Sequence, residues 1–268
     1  MQQRPDHTSI DETRVSVVIP YSPEHTPAEM LEEARQSVKS QSVPTEIIVV
    51  EDTEQHGPAW ARNKGIKQAS TRFISFLDAD DLWEDDKLRA QIQCLKKNQT
   101  GICVQGEYDD TKAFMRDLFV TKASSLTSSI LIDTSQVDIL FEEKLERRED
   151  HLFMLEAMAK SGGCFLPNLV KIRKHEEGLS SRNTPELRIK QNEFFVELVA
   201  EKVDKTIVEQ CEDELFRRLY YRIGRTEHQK GRYQSAIDHF RSSLAYDLSV
   251  RTIGAMVLSI KKYIISSV

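Results

Sequence analysis

Three carboxylates at the end of an apolar segment are the residues of this sequence best placed to do chemistry. Residues 73–77 are apolar at four of five positions, which predicts a strand buried on both faces of a sheet. Asp78, Asp80 and Asp81 follow directly. Acids at one strand end repel each other, and a divalent cation relieves that repulsion. Asp78 and Asp80 are therefore a candidate site for a metal ion and a phosphate; a solvated turn followed by a helix cap is the alternative.

The segments that must position these acids alternate between strand and helix patterns. The predicted strands are residues 15–19, 46–50 and 72–77, and the predicted helices are residues 27–40, 57–69 and 85–97. This order predicts a parallel sheet with right-handed crossovers. Because ligands of such sheets bind at the carboxyl ends of the strands, Asp52, which follows the second strand, is expected near Asp78.

The second half of this region gives a weaker pattern. Strands are predicted at residues 101–106 and 128–132, and the rest of 107–149 reads as loops that would shape a second substrate site. Glu149 and Asp150 lead into a helix, and residues 164–173 are another strand candidate.

Composition narrows the class of protein. The 268 residues carry a net charge of −6 with acids and bases interspersed, which disfavours nucleic acid as a partner. No apolar run approaches the roughly 20 residues of a membrane span, and residues 1–13 read as a polar, flexible tail without a signal peptide. The expectation is a cytoplasmic protein.

Its four cysteines are far apart in sequence and predict buried, reduced thiols with neither a disulfide nor a zinc site: Cys94, Cys103, Cys164 and Cys211.

Five segments in order resemble glycosyltransferase family 2, whose fold is GT-A. They are residues 15–20 (VSVVIP), 46–52 (EIIVVED), 61–66 (ARNKGI), 76–83 (FLDADDLW) and 149–150 (ED). The resemblance covers about residues 14–180. It implies an α/β domain with a Rossmann-like, mostly parallel sheet flanked by helices, here residues 14–182, followed by an all-α region, residues 183–268.

The resemblance assigns a nucleotide-sugar site with a divalent metal, Mn²⁺ or Mg²⁺. It implies that Asp80 binds the metal and that Asp78 reaches either the ribose or the metal through water. Asp81 is interpreted as a cap of the following helix. A late histidine, His175, matches a position near the metal or diphosphate; a structural histidine is the alternative. Arg173 and Arg182 are weaker candidates for binding phosphate.

The same resemblance assigns the nucleotide contacts and the base. Asp52 matches the acid that accepts from the nucleobase; a turn-forming acid is the alternative. The other implied nucleotide contacts are Pro20, Tyr21, Arg62 and Ala79, although Ser22 stands where the family usually has an aromatic residue. Asp150 matches the general base, with Glu149 orienting it or the acceptor; a helix acid without a chemical role is the alternative.

The implied activity is inverting transfer of a sugar from a nucleotide-sugar donor to a glycan or lipid-linked acceptor. The alternative from another class is a non-catalytic GT-A scaffold whose helical tail recruits a protein partner. A nucleotidyltransferase would need a glycine-rich basic loop after the first strand, and residues 20–23 (PYSP) are not one.

The C-terminal region is predicted to be helical from Thr184, a plausible N-cap. Residues 220–244 partly resemble one tetratricopeptide-like helix pair. Residues 251–268 read as an amphipathic helix, whose apolar stripe either packs on the preceding helices or lies on a membrane surface. That stripe consists of Ile253, Met256, Val257, Ile260 and Ile264.

Overall fold

The structure is a computed structural model and describes residues 13–123, 126–173 and 184–266. The chain divides into two compact units. One unit comprises Met1–Met115 with Ser124–Arg182, and the other Arg116–Ala123 with Asn183–Val268. The predicted N-terminal tail up to residue 12, together with His175 and Arg182, lies outside the described residues.

A mixed sheet forms the centre of the first unit. Its strands, in spatial order, are β2 (Thr45–Glu51), β1 (Val15–Tyr21), β3 (Phe73–Phe76), β6 (Leu131–Asp133), β5 (Ile102–Gln105) and β7 (Gly163–Leu166). The parallel arrangement predicted for the first three strands is confirmed. It does not extend through the sheet, because β6 runs antiparallel to both β3 and β5. A separate antiparallel pair joins β4 (Asp81–Trp83) to β8 (Val170–Ile172).

Five helices accompany these strands. Consecutive residues of β1 are apolar and buried, so both faces of the sheet must be covered by other elements. The helices are α1 (Ala28–Lys39), α2 (Pro58–Gln68), α3 (Lys87–Asn98), α4 (Thr111–Phe119) and α5 (Glu149–Ser161). Val17 and Ile19 point into the main core, while Val18, on the opposite face, meets α2. A Cβ added to Gly65 would lie 2.2 Å from Val18 Cγ1, so the close helix–strand contact requires glycine.

The region of weak pattern contains more regular structure than the sequence predicts. The predicted loops of residues 107–149 include the helix α4, and the strand predicted at 128–132 is a 3₁₀ turn (Thr127–Ser129) followed by β6. The strand candidate at 164–173 is two strands, β7 and β8, which belong to different sheets. The positive φ of Gly162 (66°) ends α5 just before β7.

The second unit contains α6 (Pro185–Lys202), α7 (Lys205–Gln229), α8 (Tyr233–Tyr246) and α9 (Val250–Ser266). The predicted N-cap is confirmed, since Thr184 Oγ1 accepts a hydrogen bond from Leu187 N at 3.3 Å. α7 and α8 approach closely at Gly224, where an added Cβ would meet the Phe240 ring at 2.7 Å. The tetratricopeptide resemblance of this pair stays a prediction.

The face of α9 that packs in the unit is not the predicted apolar stripe. The buried residues are Thr252 and Ser259, and Ser259 Oγ lies 2.8 Å from His228 Nδ1. Val257 and Ile264, members of the stripe, are more than half exposed. Met256 and Ile260 are partly buried, so only part of the stripe packs on the preceding helices. No helix in the described ranges is long and apolar enough to cross a bilayer.

Candidate active site

Arg62 joins the two groups of acids that the sequence places 71 residues apart. Its Nη2 donates to Asp78 Oδ1 at 2.8 Å and its Nη1 donates to Glu149 Oε1 at 3.0 Å. Arg62 is buried, and its guanidinium lies over the Phe141 ring. Two neighbouring carboxylates raise the pKa of Arg62 further above its usual range, against the effect of burial. Arg62 is therefore not an arginine of an exposed helix surface.

Ser128 connects two of the strand-end acids. Its Oγ donates to Asp81 Oδ2 at 2.7 Å and accepts from Asp78 N at 3.0 Å. The Ser128 carbonyl in turn accepts from Trp83 Nε1 at 2.7 Å. One serine thus fixes the backbone of Asp78 and the side chain of Asp81. Sequence reasoning missed it, because residue 128 is 50 positions away and carries no motif.

The structure overturns the assignment of Asp81 as a helix cap. Asp81 begins β4, whereas α3 begins at Lys87 and has Asp86 at its N-cap position. Burial raises the pKa of Asp81 to about 6, with further contributions from the charges of Asp78 and Asp80, against the hydrogen bond from Ser128. Asp81 is consequently a buried structural acid behind the site.

Arg173 holds the backbone of the Asp78–Ala79–Asp80 turn. Its Nε donates to Asp80 O at 2.7 Å, and its Nη2 donates to Ala79 O at 3.2 Å and to Met30 O at 2.9 Å. Nη1 pairs with Glu33. With its guanidinium engaged in these bonds, Arg173 positions the acidic turn and does not provide the free phosphate-binding cation that the sequence proposed.

Asp52 organises its own turn and retains limited capacity to bind a ligand. Its Oδ1 accepts from His56 N at 3.0 Å and lies 3.2 Å from His56 Nδ1, and its Oδ2 accepts from Gly57 N at 2.7 Å. These hydrogen bonds outweigh burial and lower the pKa of Asp52. Because a carboxylate has about four acceptor positions, one remains on Oδ2. Asp52 therefore forms the turn, as the alternative interpretation holds, and its remaining acceptor position is compatible with the predicted nucleobase contact.

The end of β1 lies beside this turn. Tyr21 O accepts from Asp52 N at 2.8 Å, and Pro20 and Tyr21 pair with Val50 and Glu51 of β2. Tyr21 is partly buried against the main core. His56 stacks on Trp60 with ring centroids 4.2 Å apart, an aromatic pair beside Asp52 that the sequence reasoning did not single out.

The two acids at the start of α5 have environments that push their pKa values apart. Burial, together with the charge of Asp150, raises the pKa of Glu149 to about 7, although Arg62 opposes the shift. Asp150 is partly buried, which raises its pKa, but His151 and Arg62 more than compensate and lower the pKa to about 2. Asp150 Oδ1 accepts from His151 N at 2.7 Å and lies 2.8 Å from His151 Nδ1. Both acids lie in the first turn of α5, where the helix dipole stabilises negative charge.

Asn63, next to Arg62 on α2, anchors the loop that leads to α5. Its Nδ2 donates to Phe141 O at 3.0 Å and to Glu143 Oε1 at 2.8 Å, and its Oδ1 accepts from Phe141 N at 2.8 Å. Phe141 stacks on Phe153 of α5 at 4.1 Å. Residues 61–66 therefore hold both the acids and the loop beside them.

The donor set of the acidic turn fits a hard divalent ion. Asp78 and Asp80 offer carboxylate oxygens and are partly exposed. In the described part of the chain they are not joined by a third His, Cys, Asp or Glu ligand. Two carboxylates suffice for Mg²⁺ or Mn²⁺ when substrate phosphates and water complete the octahedron. His175, the third ligand implied by the resemblance, falls outside the described residues.

Residues 47–165 match the sequence profile described as Glycosyl transferase family 2. Over these residues the chain is similar to the glycosyl transferases of family 2. The matched segment contains six of the predicted site residues: Asp52, Arg62, Asp78, Ala79, Asp80 and Asp150. The structure brings Arg62, Asp78 and the Glu149–Asp150 pair into one charged cluster.

Known proteins agree with this assignment. A segment of 53 residues is 47% identical to the Escherichia coli enzyme UDP-Glc:alpha-D-GlcNAc-diphosphoundecaprenol beta-1,3-glucosyltransferase WfgD, covering 20% of this chain and 21% of that enzyme. The chain thus spans about a fifth of the length of that curated relative. Among solved structures, S. aureus TarS 1-349 in complex with UDP-GlcNAc has a TM-score of 0.62 at 17% identity and covers 93% of this chain and 89% of its own.

A second solved structure is the mannosyltransferase PcManGT from Pyrobaculum calidifontis in complex with GDP-Man and Mn²⁺. Its TM-score is 0.55 at 16% identity, with 92% of this chain and 79% of that chain covered. At these identities the likeness is one of fold, and it confirms the predicted GT-A architecture with a helical C-terminal region.

Proposed function

We propose that the chain is an inverting glycosyltransferase that moves a sugar from a nucleotide-sugar donor to a hydroxyl of a glycan or lipid-linked acceptor. The observation that carries the proposal is the bridge made by Arg62. It ties Asp78, in the candidate donor site, to Glu149, the neighbour of the candidate base Asp150. Donor and acceptor chemistry must occur close together, and a single guanidinium that pairs with an acid of each set supports this arrangement.

Donor binding would use the carboxyl ends of β1, β2 and β3. Asp52 offers its remaining acceptor position to an N–H of the nucleobase, such as the uracil imide or a guanine donor, and Pro20 and Tyr21 line the same edge. Asp78 and Asp80 would hold Mn²⁺ or Mg²⁺, which supplies positive charge against the departing diphosphate. The nucleotide-sugar complexes of the two fold neighbours support a donor of this class.

Transfer would use Asp150 as the general base. Its Oδ1 is engaged by His151, so Oδ2 is the oxygen left for the acceptor hydroxyl. The hydroxyl oxygen forms a bond to the anomeric carbon as its proton passes to Asp150, and the bond from that carbon to the diphosphate breaks with its electron pair. One such displacement inverts the configuration. The low pKa of Asp150 keeps it ionised, and therefore able to accept a proton, at neutral pH.

Donor binding and transfer are tested separately. A thermal-shift panel of UDP, GDP, dTDP and CMP sugars, with and without Mn²⁺, identifies the donor, because a ligand of the folded state raises stability by mass action. Asp80→Ala is expected to remove the Mn²⁺-dependent shift. Asp85→Ala, a change at an exposed acid five residues along, is the matched control and keeps it. An unchanged shift in Asp80→Ala contradicts the assignment.

Asp150→Asn is expected to keep donor binding and lower turnover by roughly 100- to 10,000-fold. Near-normal turnover would contradict the base assignment. A wild-type chain that binds a donor yet releases no sugar to any acceptor would favour the scaffold alternative.

The exposed face of α9 supports a further part of the proposal, contact with an anionic membrane surface. Residues 250–266 contain three cations, Arg251, Lys261 and Lys262, and no acid, although the whole chain is net acidic. The large apolar side chains exposed on this helix are Val250, Ile253, Val257, Leu258, Tyr263, Ile264 and Ile265. An apolar surface flanked by cations binds anionic lipid weakly and reversibly. A lipid-linked acceptor, like the diphosphoundecaprenol-linked sugar in the name of the E. coli relative, would make this contact useful.

Vesicles containing anionic lipid test this contact by co-sedimentation at low salt. The double variant Val257→Glu, Ile264→Glu is expected to lose binding with little change in thermal stability, because both side chains are exposed. Ile172→Glu, at an exposed apolar residue of β8, is the matched control. If the wild type stays in the supernatant, or all three proteins sediment equally, the membrane proposal is wrong.

A further inference from the structure

Three cysteines that are distant in sequence converge in the first unit. Cys94 lies on α3, Cys103 on β5 and Cys164 on β7, and their three Sγ atoms all lie within 4.8 Å of one another. Cys103 and Cys164 are paired directly in the parallel register of β5 and β7. The thiols are free, as predicted, but Cys94 is partly exposed where the sequence predicted a buried thiol. Strand pairing joins Cys103 to Cys164, and the packing of α3 adds Cys94.

The spacing of the sulfurs is close to that of a metal site. A thiolate bound to a metal ion such as Zn²⁺ has a bond length of about 2.3 Å, which places the sulfurs of a planar three-coordinate ion about 4.0 Å apart. From a separation within 4.8 Å, the sulfurs need to move by less than about 1 Å. The backbone that carries them is already fixed, because two strands of the central sheet and a packed helix supply the ligands.

The surroundings indicate the class of ion. Cys103 and Cys164 are buried among apolar core residues, so a hard ion that needs several oxygen ligands or waters is excluded. Thiolate ligands select soft ions. Cys94 is partly exposed and gives an entry path. Asn98 Nδ2 lies 3.5 Å from Cys94 Sγ and donates to it, the kind of outer contact that orients a ligand and stabilises its charge.

We propose that Cys94, Cys103 and Cys164 form a trithiolate site for one soft metal ion, separate from the sugar-transfer site. Binding replaces three S–H bonds by three metal–sulfur bonds and releases three protons to solvent, without any change of oxidation state. The site is independent of the proposed glycosyltransferase activity, which uses none of these residues.

Cadmium is the probe, because its thiolate complexes have an ultraviolet charge-transfer absorption. The full chain is fully reduced, freed of reductant under anaerobic conditions and titrated with Cd²⁺. The expected result is a band that saturates at one ion per chain, in the wild type and in Cys211→Ser. Cys211, on α7 in the other unit, is the matched control because it is also buried but lies outside the cluster. Cys94→Ser, at the partly exposed member, is expected to weaken the affinity at least about 10-fold.

Thermal stability gives a second readout that does not depend on the absorption band. Without metal, Cys94→Ser should unfold close to the wild-type temperature, which shows that the variant is folded. Cd²⁺ should raise the unfolding temperature of the wild type and Cys211→Ser, and leave Cys94→Ser nearly unchanged. A wild type whose band and stability match those of Cys94→Ser, or a band that disappears in Cys211→Ser, overturns the proposal and leaves the three thiols as ordinary core residues.

Discussion

Replacing Arg62 by methionine is the sharpest test of the charged cluster. Methionine has a similar length and removes the guanidinium, which leaves Asp78 and Glu149 without their shared cation. Breaking a buried ion pair from one side costs about 3–5 kcal/mol. Asp78 is one-third exposed and is rehydrated in part, so the expected loss of unfolding free energy at pH 8 is near the lower value, about 3 kcal/mol.

The loss should depend on pH because Glu149 is nearly buried and titrates near neutrality. Its folded pKa is raised, so its protonated form favours folding at low pH, and this contribution is lost as the pH rises through about 7. Removing Arg62 raises that pKa further, because the cation no longer stabilises the charged form. The destabilisation by Arg62→Met should therefore be smaller at pH 6 than at pH 8, by about 1 kcal/mol for a further rise of one pKa unit.

Urea unfolding followed by tryptophan fluorescence measures this effect. Both tryptophans, Trp60 and Trp83, belong to the unit that holds the site, so the signal reports that unit. Arg72→Met is the matched control. Arg72 pairs with Asp133 at 2.6 Å, and the pKa of that carboxyl is lowered, so the cost of this variant should be the same at pH 6 and pH 8.

Two results would refute the reasoning on Arg62. One is an equal loss at both pH values, and the other is a loss that grows towards acid. Adding Glu149→Gln to Arg62→Met should recover part of the stability at pH 8, because it removes one of the two carboxylates that Arg62→Met leaves without a cation.

Two further substitutions test the packing and hydrogen bonds that hold the site. Gly65→Ala should destabilise the first unit by about 1–3 kcal/mol through overlap with the Val18 side chain, and the double variant with Val18→Ala should be more stable than the sum of the two changes predicts; additive urea midpoints would contradict this contact. Ser128→Ala removes the hydroxyl that joins Asp78 N to the Asp81 carboxylate and should cost about 1–3 kcal/mol and weaken donor binding; wild-type stability and donor affinity in that variant would show that the bridge is unimportant.

The local parts of the fold could be read from the sequence because short-range patterns encode them. The alternation of apolar strands and helices predicted β1, α1, β2, α2, β3 and α3, and the acids after β2 and β3 predicted the functional edge of the sheet. The prediction weakened where elements are short. Neither the three-residue strand β6 nor the nine-residue helix α4 has enough length for its period to stand out.

Long-range contacts decided the rest. The family resemblance assigned roles to Arg62, Asp78 and Glu149 as predictions, but only the folded chain shows that Arg62 lies between the two acids and is buried there. Ser128 carries no motif and acquires its role solely from its position beside Asp78 and Asp81. A hydrogen bond across 50 residues leaves no periodic trace in sequence.

The helix α9 shows the same division at the surface. Its sequence determined an amphipathic helix with an apolar stripe and no acids. The tertiary structure decided which face packs, and the residues buried on that face are the small polar Thr252 and Ser259. Small residues let helices approach closely, and the hydroxyl of Ser259 lies within hydrogen-bonding distance of His228, so the larger apolar side chains are left facing solvent. The 3.6-residue period of a helix lets the sequence reveal an apolar stripe, but the shapes of the neighbouring helices determine which face is covered.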